Sequence, residues 1–248
     1  MKKRQLGGWW VRTWMVALVA AAVGARASAS ELELRLSAER GQWRLGEPIE
    51  LRVALANLSG RDLEVEVPDV ANGSVRVFVA PDRGAFREYR GPHWGLEDGS
   101  RAVPLRSGEE SSTTAVLLWN HRMPTEHLTP LYADRIRQER IDEEVAIVAP
   151  GRYWVKALYT VDGERVESQA VALDVLAPEP VDAPIWERMR RDGELAYLLH
   201  TGRLHWPAGS AEADAFAADV RRLTAENRGS RYAVDIERLL ASFEQAAC

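Results

Sequence analysis

The chain has 248 residues, of which 32 are basic and 37 acidic, with one cysteine and nine tryptophans. Those counts exclude a disulfide-stapled miniprotein, a long disordered chain and a polytopic membrane protein. A formal charge of −5 also excludes a strongly basic nucleic-acid binder.

Residues Lys2, Lys3, Arg4 and Arg12 form a basic start, Trp14 to Ala25 carries no charge, and Ala27-Ser28-Ala29 follows. Basic, apolar, then small-x-small is the layout of a secretory signal peptide, and cleavage is expected after Ala29. The apolar run, about a dozen residues, is short for a membrane span. An uncleaved signal anchor is the alternative. No cysteine follows the site to take a lipid, and no Arg-Arg pair marks twin-arginine export. Cleavage would leave 27 basic against 37 acidic residues, a formal charge of −10, with Lys156 the one remaining lysine. We expect a periplasmic or extracellular protein with no membrane span once the signal is removed. Cys248 is the single cysteine of the sequence, so no internal disulfide is expected.

From residue 31 to 177 the apolar residues alternate. Leu32, Leu34 and Leu36, then Ile49, Leu51, Val53 and Leu55, then Leu63, Val65 and Val67, then Val75, Val77 and Val79 each place one face on a core. Turn signals separate them at Leu45-Gly46-Glu47-Pro48, Ser59-Gly60-Arg61-Asp62 and Ala71-Asn72-Gly73. Thr113 to Trp119, Tyr153 to Tyr159 and Val166 to Val175 continue the series. The predicted fold class is mainly β, an immunoglobulin-like antiparallel β-sandwich over 31–177.

The run Gln42-Trp43-Arg44-Leu45-Gly46-Glu47-Pro48-Ile49, continuing to Asn57, is similar to the opening of bacterial exported β-sandwich domains. With the turn Pro150-Gly151-Arg152-Tyr153 it resembles macroglobulin-like domains and the bacterial intracellular proteinase inhibitor family, across about 145 residues. The resemblance implies a fold and, by analogy, a protease-inhibitory role. The Gly-x-Tyr spacing also resembles a tyrosine corner, which implies that the Tyr153 hydroxyl ties back to upstream backbone.

A linker is expected at 178–181 and a helical tail at 182–248. Asp182 is read as a cap and Pro184 as a first-turn residue, with Gly193 interrupting and Gly202 ending the helical pattern. Ser210 and Ser230 cap two further helices, joined through Arg228-Gly229-Ser230 as an αα-hairpin. One such unit cannot bury its own apolar face, so the tail is expected to pack on the sandwich or, as the alternative, on a partner.

The chain carries no phosphate-loop, dinucleotide, Gly-x-Ser-x-Gly or His-Glu-x-x-His motif. No catalytic residue, metal ligand or cofactor is therefore assigned. His200 and His205 would lie about 140° apart on a helix and read as a solvated helix end. The informative stretch is the span of about 25 residues between Trp119 and Val145, long for a sandwich connection and rich in His, Arg and carboxylates. Recognition or a structural cap, with a short helix over 132–140, would each explain it. A metal site from His121, His127 and Asp134 or Glu126 is conceivable there. A second candidate loop, Arg90-Gly91-Pro92-His93-Trp94-Gly95, offers Trp94 as an apolar anchor or as a ring folded back on the sheet.

These observations lead to the expectation of an exported, non-enzymatic protein-binding module of the bacterial cell envelope. Its binding residues would be Trp94, His93, His121, Arg122, His127, Arg135 and Arg137, and its partner an envelope or extracellular protein. The alternatives are an envelope protease inhibitor, a metal-dependent hydrolase, and strand addition at a sheet edge. Asn57-Leu58-Ser59 and Asn72-Gly73-Ser74 match a glycosylation pattern that carries no weight in a bacterial setting.

Overall fold

A computed structural model describes residues 31–91, 102–120, 144–161 and 163–245. The expected signal segment therefore lies outside the described residues. In chain order the strands are β1 (Leu32–Ala38), β2 (Gln42–Arg44), β3 (Ile49–Asn57), β4 (Leu63–Glu66), β5 (Val75–Pro81), β6 (Arg87–Tyr89), β7 (Ala102–Leu105), β8 (Glu110–Leu117), β9 (Trp119–Asn120), β10 (Glu144–Val145), β11 (Gly151–Val161), β12 (Glu164–Glu167) and β13 (Val171–Leu176). The helices are α1 (Ala183–Arg191), α2 (Gly193–Thr201), α3 (Ala211–Glu226) and α4 (Arg231–Gln245). The chain is thus mainly β with a helical C-terminal part. No helix among the described residues is long and apolar enough to cross a membrane.

Alternation decides which face of each strand is buried. Ile49, Leu51, Val53 and Leu55 point to the core from β3, as do Val75 and Val77 from β5 and Val155, Ala157 and Tyr159 from β11. One sheet has the order β1-β3-β8 and another the order β2-β13-β11-β5-β6, with β12 paired to β11. Two short ribbons, β4-β7 and β9-β10, complete the strands. The pairs are antiparallel except β13 with β2, which run parallel. Buried residues from both large sheets and from the helices form one continuous core.

Val166 to Val175, read as a single strand, is two. The pairing runs Leu158 opposite Glu167 but Val155 opposite Val171, a shift of one residue. Ser168 sits at the break: its Oγ accepts from Ala157 N (2.9 Å) and donates to Gln169 O (3.0 Å). The extra residue is a bulge, satisfied by a hydroxyl where the ladder fails. The expected Tyr153 tie is present, its hydroxyl donating to Ala149 O at 2.8 Å. Asn57, in the first glycosylation-like triplet, is fully buried and donates to Arg61 O and Leu105 O, which closes it to any modification in the folded chain.

The helix signals are mostly placed as read. Ser210 Oγ accepts from Ala213 N, and Gly202 ends α2 with φ at 69°. Asp192 accepts from Glu194 N, so the interruption near Gly193 is a new helix start. Asp182 is the correction. Its side chain makes no cap bond to α1 and accepts instead from Ser230 Oγ and Arg231 N (both 2.9 Å), at the start of α4.

The helical part packs on the β part, with α1 and α2 against the β9-β10 ribbon. The turn after β2 enters the helices. Gly46 has φ +87°, and a Cβ there would lie 2.7 Å from Met189 Cε and 3.1 Å from Trp186 Cε3. Next to it Tyr232 donates its hydroxyl to Leu45 O at 2.5 Å. Arg231 holds Asp182, Glu47 and Glu179 at 2.8 to 3.0 Å. The expected linker is therefore fastened, since Glu179 also pairs with Arg44. Burial works against the Asp182 charge. The hydrogen bonds from Arg231 and Ser230 outweigh it and lower its pKa.

Candidate functional site

The seven binding residues expected from the sequence, His93, Trp94, His121, Arg122, His127, Arg135 and Arg137, all lie outside the described residues. So do the conceivable metal ligands and the 132–140 helix. What the structure places is where their segments are attached. Arg90 and Gly91 precede the first; Asn120 and Glu144, paired across the β9-β10 ribbon, bracket the second. Arg90 N donates to Asn120 Oδ1 at 2.8 Å, which brings both attachment points to one end of the molecule.

Two histidines from the helical part, expected from the sequence at a solvated helix end, meet the sheets at this end. His200, in the last turn of α2, accepts a hydrogen bond from Trp119 N at Nδ1 (3.3 Å). A backbone N–H can only donate, so Nδ1 is unprotonated and the neutral ring carries its hydrogen on Nε2. Tyr89 Oη lies 3.3 Å from the same nitrogen and 2.8 Å from both Val116 O and Trp119 O. Its single hydrogen goes to one carbonyl at a time. Burial pushes the His200 pKa down to about 4 and raises that of the Tyr89 hydroxyl. A charged histidine at a helix C-terminus would gain from the dipole, but burial outweighs that gain here.

His205 lies beyond the turn that ends α2. Both its backbone N and its Nδ1 meet the Glu194 carboxylate, at 2.8 and 2.7 Å, and Glu194 is buried. The ring stacks on Tyr197 with centroids 3.7 Å apart, and Tyr197 meets Trp119 edge to face at 5.1 Å. A buried carboxylate that orients a histidine is a unit shared by acid–base sites and by structural clasps. In this chain the unit joins the 203–206 turn to the start of α2.

Beside His200 is a cavity of about 420 Å³. Its walls come from four places: the turn at Asp69-Val70-Ala71, the end of β6 at Tyr89 with Gly91, the Thr114–Val116 stretch of β8, and the end of α2 with Arg203. Tyr89, Gly91 and Ala115 are buried within it, whereas Thr114 and Arg203 are exposed at its edge. No group of three or more His, Cys, Asp or Glu side chains able to hold a metal occurs among the described residues. The sequence offered one signal for this region. Glu194 is the one charged residue in the stretch from Gly193 to Leu199.

No family model matches the chain, and neither does any curated protein sequence. Among solved structures, it is similar to the alkylpurine DNA glycosylase AlkC of Pseudomonas fluorescens at 18% identity and a TM-score of 0.33, over 61% of this chain and 32% of that one. A β-glucosidase from Listeria innocua gives 17% and 0.32, over 58% of this chain and 16% of the enzyme. A CARDB domain from Pyrococcus furiosus gives 16% and 0.28, over 59% and 94%. The chain spans about a third of the glycosylase and a sixth of the glucosidase. Likenesses this distant establish neither fold nor function.

Proposed function

We propose that the chain is an exported, non-enzymatic protein-binding module of the bacterial cell envelope, built as an immunoglobulin-like β-sandwich with a fastened helical tail. The sandwich reading is supported by the two largely antiparallel sheets that share one core, by the β2-β13-β11-β5 order with its parallel first pair, and by the Tyr153 tie. The observation that carries the binding reading is the Arg90–Asn120 hydrogen bond. It joins the roots of the two segments that hold Trp94, His93, His121, Arg122, His127, Arg135 and Arg137. Position 90, just before the first segment, and position 120, just before the second, are thereby held together. That is how loop-borne recognition faces are arranged.

The test is crosslinking capture from the cell envelope with the intact chain, beside a chain whose residues 121–143 are replaced by a short flexible linker. A partner held by the first and lost by the second is the expected result. At one or more of the seven positions, an alanine replacement should weaken that partner by more than about 1 kcal/mol. Equal capture by both chains, or capture by neither, overturns the reading.

A further inference from the structure

We propose that the protein associates with a second copy of itself through the free edge of β8. The inference does not rest on the protein-binding reading. The orders of the two larger sheets end on β1, β8, β2 and β6. Open strand edges invite pairing with other chains, and natural proteins protect them by short length, charge or proline. β2 and β6 have three residues each, and β1 carries Glu33 and Arg35. β8 has eight residues, and from Ser111 to Leu117 it holds no charge and no proline. Its edge is long and unprotected.

The register fixes which backbone groups this edge offers. Asn57 N donates to Glu109 O at 3.0 Å. Residues of an antiparallel strand turn alternately toward its two sides, so Ser111, Thr113, Ala115 and Leu117 also bond to β3. Glu110, Ser112, Thr114 and Val116 face away. The Tyr89 hydroxyl reaches Val116 O on that outer side, at 2.8 Å. Among the described residues, nothing bonds to the outward backbone of Glu110, Ser112 or Thr114. Thr114 is exposed and borders the cavity beside His200, which leaves room for a strand at that end. With Val116 O occupied by Tyr89, the pairing ends at Thr114. An antiparallel two-fold pair then sets Ser112 against Ser112 of the second copy and Glu110 against Thr114, with about six backbone hydrogen bonds. No like charges meet. Arg52 on β3 lies opposite Thr114, so its row continues to Glu110 of the second copy. Opposite charges thus fall on one row, and a second copy supplies the match by symmetry. The product is one continuous sheet, β1-β3-β8-β8-β3-β1.

The experiment is sedimentation velocity of the full chain over a concentration series. A monomer–dimer equilibrium is expected. Ser112→Lys and Ser112→Glu each set like charges face to face on the two-fold axis and should weaken the dimer about fivefold. An equimolar mixture of the two variants should associate at least as tightly as the unaltered chain, which also shows that both variants fold. Ser37→Lys, at an exposed position on β1, should leave association unchanged. A chain that stays monomeric up to about 1 mM overturns the proposal, because the edge then belongs to another partner or to none. A dimer indifferent to both Ser112 variants, a mixture that fails to recover, or a dimer weakened equally by Ser37→Lys overturns it too.

Discussion

At the scale of single residues, His200 shows how little a side chain's type says about its state. The sequence places it at a helix end, where a charged imidazole would be welcome. The fold turns it under Tyr89 and Trp119 and demands a neutral acceptor. The consequence is a pH dependence with a definite sign. Its pKa falls from 6.5 in the unfolded chain to about 4 in the folded one. Between those values the unfolded state binds more protons, so acid favours unfolding. The contribution is complete above pH 6.5 and fades as pH falls to 4, by up to about 3 kcal/mol. Urea unfolding across pH 4 to 7.5 measures it against His200→Asn, which keeps an acceptor oxygen but does not titrate. The wild-type curve should fall more steeply below pH 6.5, and identical slopes would remove the assignment.

At the scale of elements, the turn between β2 and β3 connects the two parts of the protein. The sequence marks it as a turn through Leu45-Gly46-Glu47-Pro48, and Gly46 does adopt the left-handed backbone that such turns favour. What the marking omits is that Met189, Trp186 and Tyr232 close over it. Gly46→Ala thus meets two penalties, backbone strain and overlap with packed side chains. Gly60 gives the comparison, because its φ is +75° but nothing lies within 4 Å of a Cβ there. We expect Gly46→Ala to lose about 2 kcal/mol and Gly60→Ala about 1. Denaturation midpoints decide it, and equal losses would show that the helices give way freely at the turn. Asp182 teaches a related lesson. Its position before Pro184 is that of a cap, yet its carboxylate serves the start of α4, 48 residues away. Local signals name a residue suited to bonding orphan N–H groups; they do not say which helix supplies them.

At the scale of the whole molecule, one core runs through both parts. Trp119 packs on Tyr197, and Leu45 accepts a hydrogen bond from Tyr232. A chain ending at residue 177 would uncover Trp119 and the β10 strand that holds Val145, both residues buried in the intact fold. We predict a single cooperative thermal transition for the intact chain, and no cooperative transition with loss of monodispersity for the truncated one. Calorimetry and size-exclusion chromatography read the two quantities. A truncated chain that melts cooperatively as a monomer would show the helices to be an accessory.

The sequence alone determined the strands with clear alternation, the turns marked by Gly and Asn, and the helix cap at Ser210. Each depends on interactions within a few residues, where backbone sterics and period leave few choices. The tertiary structure decided what depends on distant residues meeting. It split Val166–Val175 at a bulge, gave Asp182 to α4, made His200 a neutral acceptor, tied His205 to Glu194 and joined Arg90 to Asn120. Those pairings arise when burial removes water and every polar group must find its partner inside the protein, and no local pattern records which partner the chain will bring.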